Sequence, residues 1–253
     1  MPTVRRPFVI DEILPGQVLA VEADGDLLDT ALYPAEEAAI RNAGDKRRRE
    51  YTTGRACAHT ALTRLGVPQQ PILAGAHGEP CWPTGVVGSI THCDGYRACA
   101  VAYATEIVAM GIDAEPNERL DEAVLCDIAC AEELALLDEL TLSEPATCWD
   151  RLLFSAKEAV YKAWFPLTRR WLDFTDAAVT FDVSQHAFYA RLLVRGPLAD
   201  GPGVGIFRGR WLVRDGLVLT AVALPPSGVV GGLGLVSEVS PLRDSSLISG
   251  PAR

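Results

Sequence analysis

From Trp149 to Phe165 the chain spells out a helix with one apolar face. Trp149, Leu152, Leu153, Ala156, Val160, Ala163 and Trp164 recur at spacings that line them along a single stripe. Pro166 follows, and without a backbone N–H it is expected to stop the helix there. A helix with such a stripe must bury it against another layer. The next segments supply one: strand patterns at about 176–182, 187–194, 206–213 and 217–224, the last two joined by Arg214-Asp215-Gly216, a hairpin signal.

The first half of the chain repeats this plan. Residues 34–65 read as two helices broken near Gly44. Ala58, Ala61, Leu62 and Leu65 keep helical spacing, and Gly66 and Pro68 end the run. Residues 66–97 are rich in Gly and Pro and read as loops with short strands. Ala98–Tyr103 and Ile107–Asp113 are expected to form a hairpin joined near Thr105-Glu106, and 118–140 is again helical and acidic. Helix then hairpin, twice over, predicts an α+β architecture in two similar-sized halves with a boundary near 112, so 1–112 and 113–225, and a ligand site between them. Residues 226–253 lack periodic apolar content and are expected to be a disordered tail. No direct sequence repeat accompanies the two halves.

Charge narrows the partners. The 253 residues carry a net charge of −10, which disfavours nucleic acid. Positive charge gathers in Lys46-Arg47-Arg48-Arg49 and Arg169-Arg170, spots suited to a small phosphorylated ligand, although the first also suits a solvated helix face. Among 23 basic residues only Lys46, Lys157 and Lys162 are lysine, and two of these lie within six residues. Lysine is a compact charge whose pKa shifts readily, so those positions can need what arginine cannot supply. The seven cysteines, Cys57, Cys81, Cys93, Cys99, Cys126, Cys130 and Cys148, include no Cys-x-x-Cys pair and are expected as reduced thiols. Zinc at His92-Cys93 is disfavoured, because neighbouring residues rarely face one ion. No apolar run reaches the roughly 18 residues of a membrane span. No apolar stretch follows Arg5-Arg6 as a signal peptide would require. A cytoplasmic monomer that engages neither membrane nor nucleic acid is expected.

Three segments carry candidate chemistry. In Gly111-Ile112-Asp113-Ala114-Glu115-Pro116, Asp113 and Glu115 share one side of a strand end. Paired carboxylates suit a hard cation such as Mg²⁺, although a strand running out into solvent would look the same. In Phe154-Ser155-Ala156-Lys157-Glu158-Ala159-Val160-Tyr161-Lys162, Glu158 and Lys162 share a helix face away from the apolar stripe. Phe154, Tyr161 and Phe165 flank that face, which suggests a cleft and not an ordinary surface ion pair. In Gly88-Ser89-Ile90-Thr91-His92-Cys93-Asp94-Gly95, His92 is expected in a small-residue loop that can approach phosphate closely.

These three segments, in this order and spacing, resemble the Sfp-type 4′-phosphopantetheinyl transferases. Trp164 through Leu172 and Gly78-Glu79-Pro80-Cys81-Trp82-Pro83 resemble the EntD/PptT-like branch. The resemblance spans roughly 30–225. It implies two pseudo-twofold halves, each a small antiparallel sheet packed with helices, with coenzyme A between them. It implies that Asp113, Glu115 and Glu158 hold Mg²⁺, with Mn²⁺ as an alternative. Arg47, Arg55 and His92 would hold the 3′-phosphoadenosine end, with Lys157 and Lys162 as further coenzyme A contacts. The sequence departs from that branch at Ala74, where relatives often place a lysine; His77 or Lys46 could stand in.

The implied reaction moves phosphopantetheine from coenzyme A to a serine of an apo acyl or peptidyl carrier protein, releasing 3′,5′-ADP. Glu158, or a metal-bound water, would take the serine proton, and Lys162 would offset charge on the leaving phosphate. The carriers open to it are those of fatty-acid, polyketide, non-ribosomal-peptide and siderophore assembly. Arg169 and Arg170, with Phe165 and Leu167, are expected as a docking patch for the carrier. Two other classes fit the same carboxylates: a metal-dependent nucleotide phosphohydrolase and a non-catalytic coenzyme A binding protein.

Overall fold

The structure is a computed structural model that describes residues 9–27, 30–194 and 205–226. Of the expected tail, 226–253, all but Pro226 lies outside the described residues. The architecture is α+β, with two antiparallel sheets and five α-helices among the described residues.

The first sheet holds β1 (Leu19–Asp24), β2 (Val86–Cys93) and β3 (Tyr96–Tyr103), in the order β1-β3-β2. The helical stretch before it breaks near Gly44 as expected, into α1 (Pro34–Ala39) and α2 (Asp45–Arg64). Pro34 begins α1, where its missing N–H costs nothing, and Gly66 follows α2 at φ 80°. Cys57, Ala58, Ala61 and Leu62 of α2 pack on Val21, Cys99 and Val101 of the sheet.

The second sheet holds β4 (Ala109–Pro116), β5 (Ala177–Asp182), β6 (Ala187–Leu192), β7 (Ile206–Arg214) and β8 (Leu217–Leu224), ordered β4-β8-β7-β6-β5. The four C-terminal strands follow the sequence pattern closely. Asp215-Gly216 closes β7 on β8 with both residues at positive φ, 52° and 79°, which matches the right-handed twist of the strands it joins. α3 (Glu122–Ile128), α4 (Ala131–Ser143) and α5 (Trp149–Thr168) pack on this sheet. All seven residues of the predicted stripe are buried, against Phe188, Phe207, Trp211, Val218 and Val222.

Three expectations are corrected. Residues 98–103 and 107–113 do not form a hairpin. β3 is central, buried from Tyr96 to Ala102, and both its edges are taken by β1 and β2. β4 therefore leaves for the other sheet and pairs along its whole length with β8. The actual hairpin joins β2 to β3 through Asp94-Gly95, with Gly95 at φ 73°. Second, Pro166 does not end α5. A proline removes only its own N–H, and in the last turn the following residues continue to Thr168. Arg169 closes the helix in the left-handed region at φ 54°, donating its N–H to the Phe165 carbonyl at 2.8 Å. Third, His92 lies within β2 and not in a loop.

Two contacts fix β4, one to the helix of its own half and one to the other half. α5 lies on β4 at Gly111, where a β-carbon would fall 1.9 Å from the Ala159 carbonyl oxygen, so only glycine permits this approach. β2 and β4 belong to different sheets, but Ser89 Oγ accepts the Ile112 N–H and Thr91 Oγ1 accepts the Ala114 N–H, each at 3.1 Å.

Candidate active site

β4, β2 and α5 deliver the predicted chemical groups to one place. Asp113 projects from β4 and is buried; Glu115, two residues on, is half-buried. Glu158 and Lys162 share one face of α5 because four residues make just over one turn. Both line a cleft of about 500 Å³ between α5 and the first half. Trp82, Val87, Met110, Tyr161 and Phe165 give it an apolar wall, and Arg169 closes one rim by pairing with Glu79 at 3.0 Å. A wider concavity of about 940 Å³, lined by Glu22, Tyr96 and Arg214, contains none of the predicted site groups.

Lys162 Nζ donates to Asp113 Oδ1 at 2.6 Å and to the Ile112 carbonyl at 3.2 Å. Burial pulls the Lys162 ammonium down, but Asp113, Glu158 and Glu115 outweigh it and hold the ammonium above its ordinary range. Lys162 is therefore a fixed positive charge at neutral pH. Burial, with Asp113 and Glu158 adding repulsion, pushes the Glu115 carboxyl up to about 7, against the pull of Arg151 and Lys162. Burial also raises Glu158; Lys162 opposes this and Asp113 reinforces it. Asp113 thus acts on both Glu115 and Glu158, and Glu158 acts on Glu115, because the three carboxylates are close.

The crowding bears on metal binding. Among the described residues no three His, Cys, Asp or Glu side chains stand in a ready-made metal cage. The donors nonetheless fit a hard cation. Asp113 Oδ2 is buried with no hydrogen-bond partner, and an ionised oxygen in that state is costly unless a cation meets it. Asp113, Glu115 and Glu158 could supply oxygen ligands of the kind Mg²⁺ takes, one or two directly and the rest through water.

The basic groups divide. Arg47 Nη1 donates to His92 Nε2 at 3.1 Å, and Glu50 Oε2 lies 3.9 Å from His92 Nδ1. Burial lowers the His92 pKa, with Arg47, Lys162 and Arg97 adding to it and Glu50 opposing. A neutral imidazole accepting at Nε2 carries its proton on Nδ1, facing Glu50. Arg55 is buried, gives its Nε–H to the Ile72 carbonyl at 2.7 Å and lies over the Tyr51 ring at 4.3 Å.

Lys157 is the correction among the predicted site residues. It is buried, and its ammonium serves the Ile128 carbonyl at 2.8 Å, Glu133 Oε2 at 2.8 Å and the Phe174 carbonyl at 2.7 Å. Three donors meet three protein acceptors, which leaves none for a ligand. Phe165 is also not a surface anchor: it is buried as a cleft wall. Phe154 stacks on Phe174 at 5.5 Å, away from the cleft. Trp171, not singled out in the sequence, is 67% exposed and rests on Tyr161 at 5.0 Å.

Arg151 was also missed. Its Nη1 donates to Glu115 Oε2 at 3.3 Å, while its Nε–H donates to the Glu118 carbonyl at 3.0 Å. The signal was available: Arg151 precedes Glu158 by seven residues, two turns along the same helix face. All seven cysteines are free thiols, as expected. Among the described residues no helix is long and apolar enough to cross a membrane.

The family model of the 4′-phosphopantetheinyl transferase N-terminal domain matches residues 35–102, and that of the 4′-phosphopantetheinyl transferase superfamily matches 109–198. The chain is similar to the 4′-phosphopantetheinyl transferase Svp of Streptomyces mobaraensis, 46% identical over 87% of this chain and 91% of the relative. It is 48% identical to the 4′-phosphopantetheinyl transferase PptT of Mycobacterium tuberculosis over 76% of this chain and 85% of that one. To the enterobactin synthase component D of Salmonella typhimurium it is 34% identical over 73% and 75%.

Proposed function

The chain belongs to the 4′-phosphopantetheinyl transferase superfamily, and from that premise we propose how its residues carry out the transfer. Coenzyme A lies between the halves, with its 3′-phosphoadenosine end toward Arg47, Arg55 and His92 and its pyrophosphate beside the carboxylates. The acceptor is a serine of an apo acyl or peptidyl carrier domain. The observation that carries this reading is the 2.6 Å contact of Lys162 with Asp113 at the same cleft that Glu158 lines.

Asp113, Glu115 and Glu158 would hold Mg²⁺ or Mn²⁺. When bound, the cation neutralises the pyrophosphate. The carrier serine Oγ forms a bond to the β-phosphorus, and the bond from that phosphorus to the bridging oxygen breaks. The pair of electrons leaves on 3′,5′-ADP. Glu158 accepts the serine proton, a task its raised pKa favours. Lys162, charged throughout, offsets the negative charge that grows on the leaving phosphate. The apolar wall of the cleft excludes water from the reacting phosphorus.

Incubation with coenzyme A, Mg²⁺ and a panel of apo carrier proteins, read by intact mass, tests this. One carrier should gain a phosphopantetheine, and chelation should abolish the gain. Consumption of coenzyme A without any carrier would establish a phosphohydrolase instead.

A further inference from the structure

Thr91 does more than join the halves. Ser89 and Thr91 each accept a backbone N–H of β4, from Ile112 and Ala114, both at 3.1 Å. Thr91 alone also touches a carboxylate: its Oγ1 donates to Asp113 Oδ1 at 3.1 Å. A hydroxyl has one proton, so with Ala114 donating to it the Thr91 proton is committed to Asp113. Lys162 Nζ grips that same oxygen at 2.6 Å. Both partners act on Oδ1, and Oδ2 is left buried and unpartnered. Thr91 is itself 2% exposed, so water does not compete for its hydroxyl.

We propose that Thr91 is a positioning residue for the metal site: its hydroxyl, anchored by the Ala114 N–H, holds Asp113 by Oδ1 so that Oδ2 is presented to a divalent cation. The inference rests on the reading of Asp113 as a metal ligand. A carboxylate held by Lys162 alone can rotate and offer both oxygens to the ammonium, which then competes with the cation. With the hydroxyl in place, one oxygen is committed and the other is free. Ser89 is the internal control, since it makes the same kind of bond to β4 without touching a carboxylate.

The test is Mn²⁺ binding, followed by electron paramagnetic resonance of the free ion. The protein is saturated with coenzyme A and no carrier is present, so that nothing turns over. Thr91→Val keeps the shape and removes the hydroxyl; about tenfold weaker Mn²⁺ binding is expected. Thr91→Ser should bind as wild type does. Ser89→Ala should lose melting temperature, as Thr91→Val does, yet keep wild-type Mn²⁺ affinity. Equal affinity in Thr91→Val and wild type, or an equal loss in Thr91→Val and Ser89→Ala, overturns the proposal. If Thr91→Val does not fold, Thr91→Cys, with its weak S–H donor, replaces it: weaker binding than Thr91→Ser upholds the proposal and equal binding overturns it. A wild-type protein that binds no Mn²⁺ overturns the metal reading itself and this proposal with it, a result distinct from equal binding across the set.

Discussion

Gly111 and Ala159 stand so close that the strand bearing Asp113 and the helix bearing Glu158 and Lys162 touch backbone to backbone. The distance from Asp113 to Glu158 and Lys162 is set there. Gly111→Ala must push α5 off β4, at a cost of about 1–3 kcal/mol. The melting temperature should fall by about 5 °C. Activity should fall further than stability alone explains, because Asp113 separates from Glu158 and Lys162, the groups proposed to act together. Unchanged kcat in a folded Gly111→Ala protein would show that the close approach has no catalytic role.

Glu158→Gln keeps size and helix propensity and removes the charge proposed to hold the cation and to accept the serine proton. A folded protein with transfer reduced by about 10²-fold or more is expected, measured with coenzyme A and excess Mg²⁺. Activity close to wild type would remove Glu158 from the mechanism.

Glu115 gives the metal-free protein a pH signature. Its folded-state pKa, about 7, lies above the ordinary 4.5, so the folded state prefers the protonated carboxyl. The contribution to stability is fully present below pH 4.5, declines as pH rises, and is lost above about 7. In chelator, the melting temperature of wild type relative to Glu115→Gln should therefore fall across that window. A difference that stays flat with pH would contradict the raised pKa. Adding Mg²⁺ above pH 7 should recover the wild-type loss and leave Glu115→Gln less affected.

Lys157 is predicted to matter for stability and not for coenzyme A. Replacing it with Met strands the buried Glu133 carboxylate, a loss of about 3–5 kcal/mol. The melting temperature should drop by about 10 °C, with the Michaelis constant for coenzyme A unchanged. A raised constant in a protein of wild-type stability would return Lys157 to the binding site.

Trp171 projects beside the helix that carries Glu158, with most of its ring in solvent. Exposed aromatic surface next to the proposed transfer site suits a protein substrate. Trp171→Ala should raise the Michaelis constant for the carrier several-fold and leave that for coenzyme A unchanged. A change confined to coenzyme A would place the ring against the nucleotide.

The second half was readable because its signals are local. Alternation marks β5 to β8, a seven-residue stripe marks α5, and Asp215-Gly216 marks a turn. Glu158 and Lys162 were readable as a pair for the same reason. What escaped depends on distant partners. Nothing near β4 says that it pairs with β8, more than 100 residues away, and not with β3. Gly88 and Gly95 made the His92 segment look like a loop, although Gly88 is small because Trp82 and the Ala100 carbonyl press on it. Lys157 and Lys162 looked alike in sequence, but five residues of helix turn them to different sides. One meets Glu133 from α4 and the other Asp113 from β4.

A backbone ladder survives almost any change of side chain, since every residue but proline brings the same N–H and C=O. The joint between β2 and β4 is not of that kind, because Ser89 and Thr91 supply the acceptors themselves. The polar part of the seam is thereby written in two codons, beside the apolar cluster that the two sheets share. Substitution there can slacken one half against the other while each sheet stays intact, so inheritance can adjust the joint separately from the parts it holds.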